Sequence, residues 1–168
     1  MGTHTDVASG SRAAGLKHYF HALLKASDAE ERTALGVAAL EGILVRRKVR
    51  EKKSRHLAKR AAVLLGFAGL DAAEVNRQLC EAYDIRSAFD HGELSTVQGR
   101  ARAQAAEAIV LEYARLALLK HLEVDRWPED KDRFLNDLDD DSKRRELRKE
   151  LSGGLWDLAG PSLGGGDG

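Results

Sequence analysis

Between Cys80 and Glu93 the chain gathers Tyr83, Asp84, Arg86, Ser87, Asp90 and His91 within little more than two helical turns, closed by Gly92. No other stretch crowds so many polar side chains of chemical use at the end of an apolar pattern. Arg86 carries a permanent charge in a planar fork that suits a phosphate, and His91 carries an imidazole that can move a proton. Those two functions together fit phosphodiester chemistry, in which one group shuttles a proton and the other stabilises charge on phosphorus. On a helix, Arg86 and Asp90 share one face and Ser87 and His91 another, while Arg86 and His91 stand about 140° apart around the axis. They converge only if the arginine reaches across and the last turn opens. The bland alternative is an Arg86–Asp90 pair beside a histidine that merely ends the helix.

The elements that must position these residues are all helical. Val75, Leu79, Ala82, Ile85 and Phe89 recur at spacings of three and four, with Asp71 as an N-cap and Gly92 just past the end. Upstream, the periodicity predicts a helix over Ala13 to Ala26, a second from Ser27-Asp28 to about Val45, and a third from Ser54 to Leu65. Downstream, Gln98 to Leu122 has apolar coverage broad enough for the central partner of a bundle, and two shorter helices follow, one opened by Trp127-Pro128 and one over Ser142 to Leu151. Gly36 and Gly42 inside the second helix predict close approach of a neighbour. Glu41 falls on that helix's apolar side, where a carboxylate needs a partner, and Arg60 and Arg86 are the candidates. Nothing alternates as a sheet strand does, and no zinc, P-loop or Rossmann spacing is present. The expectation is a single-domain, all-α antiparallel bundle of five to seven helices over residues 13–151, flanked by a disordered segment at 1–12 and a flexible glycine-rich tail at 152–168.

The string "AYDIRSAFDHGE" resembles the Arg-x4-His signature of the HEPN superfamily, most closely its Apea-like branch, through Tyr83, Asp84, Ile85, Arg86, Ser87, Ala88, Phe89, His91 and Gly92. "ALGVAALEGILV", which carries Glu41, and "LAKRAAVLLG", which carries Arg60, resemble the same branch, and the likeness runs over roughly residues 18 to 155. The chain departs from the pattern at Asp90, where the branch usually has an aliphatic residue. The resemblance implies a helical bundle, commonly dimeric, and a metal-independent endoribonuclease that cuts single-stranded RNA by 2′-hydroxyl transesterification. Under it Arg86 and His91 are catalytic. Tyr83, Asp84, Ser87, Asp90, Arg60 and Glu41 support them, Arg60 lying near the site to bind phosphate or hold Glu41. It also implies a homodimer with RNA as substrate, a role as a toxin or defence effector, and an antitoxin or larger defence-system protein as partner. The alternative it allows is a non-catalytic dimerisation, partner-binding or nucleotide-sensing module.

Composition bounds these readings. The 168 residues are 43% hydrophobic and 32% charged, which suits one soluble globular domain. Lys plus Arg and Asp plus Glu both number 27, so nucleic-acid binding must rest on a local patch. The stretch Arg46–Arg60 supplies one, with nine Lys or Arg against the single acid Glu51. Arg46, Arg47, Lys48, Lys52 and Lys53 are its candidate RNA contacts. The single cysteine, Cys80, allows no internal disulfide and lies in the apolar part of its helix. No run is long and apolar enough to span a bilayer and the N-terminus carries no apolar leader, which makes the expected setting cytoplasmic, with no membrane, cofactor or metal called for.

Overall fold

A computed structural model describes residues 5–46, 52–93, 96–123 and 131–151, with side chains placed for 13–46, 52–93, 96–120 and 131–151. Among the described residues the chain forms seven helices and no strand: α1 (Thr5–Leu24), α2 (Ala29–Leu44), α3 (Lys53–Gly66), α4 (Ala72–Asp90), α5 (Val97–Glu123), α6 (Lys131–Asp139) and α7 (Asp141–Leu151). It is a single all-α domain with the architecture of an antiparallel helical bundle. The first helix corrects the sequence reading, because residues 5–12, expected to be disordered, are helical. Arg47, Lys48, the Trp127-Pro128 start signal and the tail at 152–168 lie outside the described residues.

Local chemistry explains where the helices begin and end. The Asp28 carboxylate accepts from the Glu31 backbone N–H at 2.8 Å, and Glu31 reaches back to the Ser27 N–H at 3.0 Å, which satisfies two donors that the start of α2 would otherwise strand. Asp71 does the same for Glu74 N–H at the head of α4, also at 2.8 Å. At the other end of α4, Glu93 N–H donates to Ala88 O at 2.8 Å and Gly92 N–H to Phe89 O at 3.0 Å. This is a Schellman closure, and it needs the left-handed residue that Gly92 supplies at φ +71°. His91 is thereby fixed as the C-cap, at φ −94° and ψ 0°.

The centre of the bundle is α2, where the sequence pattern pointed to α5. Thr33, Gly36, Val37, Leu40, Ile43 and Leu44 are all buried, and α2 packs against α1, α3, α4 and α5. A helix clad on so many sides buries almost its whole circumference, so its apolar stripe is too wide for one amphipathic face. Gly36 permits the closest of these contacts: a Cβ there would stand 2.8 Å from Val110 Cγ1 of α5. Polar ties fix the register. Thr33 Oγ1 donates to Ala103 O at 3.2 Å, and Arg32 pairs with Glu107 at 2.8 Å.

The C-terminal carbonyls of α2 are met by cations. Lys131 Nζ donates to Gly42 O and Val45 O, each at 2.7 Å, and Arg60 Nη1 donates to Leu44 O at 2.7 Å. Positive charge at the negative end of a helix is favourable, and these bonds anchor α6 and α3 to it. A similar device closes the bundle's far end, where the buried Lys120 Nζ donates to Leu151 O at 2.7 Å.

Candidate functional site

The apolar face of α4 (Val75, Leu79, Ala82 and Ile85) is buried, which turns the next position round the helix, Arg86, inward across the edge of α2. Its Nη1 donates to Glu41 Oε2 at 2.5 Å, and its Nε stands 3.6 Å from Asp90 Oδ2. The guanidinium carbon lies 6.0 Å from the Tyr83 ring centroid, within cation–π reach. Both members of the Arg86–Glu41 pair keep only about a fifth of their side-chain surface, 23% and 18%. Glu41 Oε1 is buried without a hydrogen-bond partner among the described residues. Burial, reinforced by the negative charge of Glu41, raises the Tyr83 phenol above its ordinary value.

Beside this pair opens a cleft of about 330 Å³, lined by His18 of α1, Glu41, Arg46 at the end of α2, Lys53 at the start of α3, Arg86 and Lys131. Burial lowers the basicity of His18, and the nearby charges of Arg86, Lys17 and His21 add to the effect against the opposing pull of Glu41. A neutral imidazole therefore shares the cleft with a fixed guanidinium, which are the two kinds of group that phosphate chemistry uses. Arg46 is steadied on α6, its Nε 3.0 Å from the Asp132 carboxylate and its Nη2 on the Asn136 side-chain oxygen. Among the described residues no three His, Cys, Asp or Glu side chains gather as a metal-binding group.

Of the residues singled out from sequence, Arg86, Glu41, Tyr83 and Asp90 come together, and Arg46 and Lys53 line the adjoining cleft. Asp84, Ser87 and His91 are exposed on α4, and Lys52 is exposed before α3 in a left-handed conformation at φ +55°. His91 is not among the residues lining the cleft. Arg60 departs from expectation. It neither holds Glu41 nor faces the cleft, but is 2% exposed and bonds Asp139 through Nε at 3.0 Å and Nη2 at 2.7 Å. The reason lies in the geometry of α3: Arg60 shares the buried stripe of Leu57, Ala61 and Leu64, which faces the α2 terminus and α6. Burial raises the Asp139 carboxyl, but the hydrogen bonds and charge of Arg60 outweigh it and hold the group below its ordinary range. Arg60 is thus a structural clamp.

Sequence reasoning missed His18 and Lys131. Neither stands at a spacing related to Arg86, and Lys131 sits in an acid-rich stretch that hides it. Comparisons with protein families, with curated proteins and with solved structures returned no match.

Proposed function

We propose that the protein is a metal-independent endoribonuclease of the HEPN type that works as a symmetric homodimer on single-stranded RNA. The observation that carries this reading is the Arg86 guanidinium, held by Glu41 and Asp90 at a cleft bordered by further cations, in the motif that ends at His91. In the reaction, the 2′-hydroxyl attacks the adjacent phosphorus, its proton passing to the His91 imidazole as the O2′–P bond forms. The P–O5′ bond breaks and the departing 5′-oxygen takes a proton from water. Arg86 stabilises the charge on the pentacoordinate phosphorus. The products are a 2′,3′-cyclic phosphate and a 5′-hydroxyl, and DNA, which lacks the nucleophile, is not cut. Dimerisation supplies the second wall that an exposed helix end lacks. The last turns of α1 support it, with Phe20, Leu23 and Leu24 at 53%, 49% and 76% exposure forming an uncovered apolar face.

Purified protein should cleave RNA in chelator, and His91→Ala should lower the rate by about two orders of magnitude or more. Light scattering at tens of micromolar should report a dimer. Wild-type protein that cuts no RNA with or without divalent ions would leave the second reading: a dimerisation, partner-binding or nucleotide-sensing module, favoured by the pairing of Arg86 with Glu41 and by the exposure of His91 away from the cleft lining.

A further inference from the structure

The cleft beside the Arg86–Glu41 pair is lined mostly by cations among its charged groups. Arg46, Lys53, Arg86 and Lys131 line it against the single carboxylate of Glu41. Counting the neighbouring Asp90 and Asp132, which pair with Arg86 and Arg46, the balance is still positive, in a chain whose 27 bases and 27 acids cancel as a whole. Lys53 has no ion-pair partner among the described residues. It is half-buried in the first turn of α3, where the helix dipole disfavours positive charge, so an anion in the cleft would relieve it. The volume of about 330 Å³ is at the small end of ligand sites and admits one phosphate with its sugar rather than a length of strand.

We propose that this cleft is a subsite for a phosphate monoester, and that in the proposed nuclease it receives the 5′-terminal phosphate of the RNA. A monoester brings a charge of about −1.5 to −2 and three acceptor oxygens, against about −1 for an internal diester, and so answers a cluster of cations better than any linkage within the strand. Lys53 faces the phosphate and His18 offers a ring N–H, while Arg86, which serves the scissile phosphate in the nuclease reading, adds its charge to the field. Arg46 and Lys131, braced by α6 and by the carbonyls of α2, supply field rather than direct bonds. Because cleavage creates 5′-hydroxyl ends, the downstream product lacks the group that the cleft selects. The subsite rests on the nuclease reading for its RNA, but not for its affinity for the monoester.

The test is binding of short 2′-O-methyl oligoribonucleotides, which cannot be cut, with and without a 5′-phosphate, beside adenosine monophosphate, followed by calorimetry and by the His18 imidazole resonances. The 5′-phosphorylated oligonucleotide should bind at least tenfold more tightly than its 5′-hydroxyl twin and shift the His18 signals. Lys53→Ala should abolish that difference while leaving the circular dichroism spectrum unchanged. Adenosine monophosphate that binds as tightly as the oligonucleotide would support the monoester site and name a free nucleotide as its source. Equal binding of the two oligonucleotides, or a preference that survives Lys53→Ala, overturns the proposal. RNA cleavage indifferent to the terminal phosphate would leave the nuclease standing without the subsite, whereas selective binding with no cleavage would leave the subsite without the nuclease.

Discussion

The Arg86–Glu41 pair joins α4 to the central helix, and its worth to the fold can be measured by a double-mutant cycle of Glu41→Ala, Arg86→Ala and the double variant. Two unit charges about 4 Å apart attract by about 4 kcal/mol at an effective dielectric constant of 20. Taking both groups from water to 23% and 18% exposure gives much of that back. A charged hydrogen bond in such a setting nets about 1.5–3 kcal/mol, so the coupling energy should be about 2 kcal/mol. At about 2–4 °C per kcal/mol for a chain of this size, each single variant should melt about 4–8 °C below wild type, and the double variant only slightly lower again. Urea denaturation of the four proteins supplies the energies. A coupling below about 0.5 kcal/mol, the level at which independent sites merely add, would refute the claim that this bond ties the motif helix to α2. The outcome also decides how activity is read. Loss of cleavage in Arg86→Ala would then mix a missing transition-state charge with a loosened helix, whereas His91 is exposed and its removal should leave stability within about 0.5 kcal/mol.

Three other outcomes follow from the same contacts. Arg60→Met should cost about 3 kcal/mol, since it leaves Asp139 without its charged partner and Leu44 O without its donor. Because the folded state depresses the Asp139 carboxyl, its contribution is full above about pH 4, the ordinary carboxylate value, and is lost as pH falls below that through the folded value. Acid unfolding of Arg60→Met should accordingly lack the part of the slope that Asp139 gives wild type, and superimposable profiles would contradict this. Gly36→Ala gains about 1 kcal/mol of helix propensity but forces a Cβ to 2.8 Å from Val110 Cγ1, an overpacking cost of about 1–3 kcal/mol, so urea should show net destabilisation. Gly66→Ala, whose Cβ would meet Ala72 at an ordinary 3.8 Å, should show none. Finally, replacing Arg47, Lys48 and Lys52 together by Gln should lower the slope of log affinity against log salt for single-stranded RNA by about 2, at about 0.7 per lost phosphate contact; an unchanged slope would place that run away from the RNA.

The helices were legible because their start and stop signals are local. Asp28, Asp71 and Gly92 each act on a backbone group within a few residues, so the boundaries of α2 and α4 could be read from spacing alone. Gly36 was legible for a related reason, since a glycine that weakens a helix needs a contact to justify it. The centre of the bundle was less so. The broad pattern of α5 outweighed that of α2, whose glycines and alanines look weakly apolar although close approach buries Gly36, Ala34 and Ala39. Of the two partners that burial demanded for Glu41, geometry chose Arg86, because Arg60 on α3 turns instead to the Leu44 carbonyl and the Asp139 carboxylate. Asp139, the group that claims Arg60, is 79 positions away in an acid-rich stretch, where no spacing argument singles out one carboxylate. His18 was invisible for the same reason: its chemistry comes from the neighbours that tertiary packing gives it.

Glu41 gives the candidate site its particular logic. A carboxylate that holds Arg86 for the fold also competes with any phosphate for the same guanidinium, and the competition is settled by charge. An internal diester in its ground state offers about one negative charge and meets an Arg86 already neutralised by Glu41, with Asp90 at 3.6 Å on the other side; only as its phosphorus becomes pentacoordinate and gains further charge does it draw on the guanidinium. A terminal monoester offers nearly twice that charge and is met instead by Lys53, which no carboxylate among the described residues neutralises. The scissile phosphate can thus recruit the outer edge of the Arg86 fork without breaking its bond to Glu41, because Nη1 serves the carboxylate while Nη2 makes no hydrogen bond among the described residues. The pair then acts as a brace: Glu41 fixes the plane of the guanidinium, and the phosphate takes the edge that remains. The same planarity that makes arginine a strong partner for one anion lets it serve two at once, which a lysine at position 86 could not do with a fixed geometry.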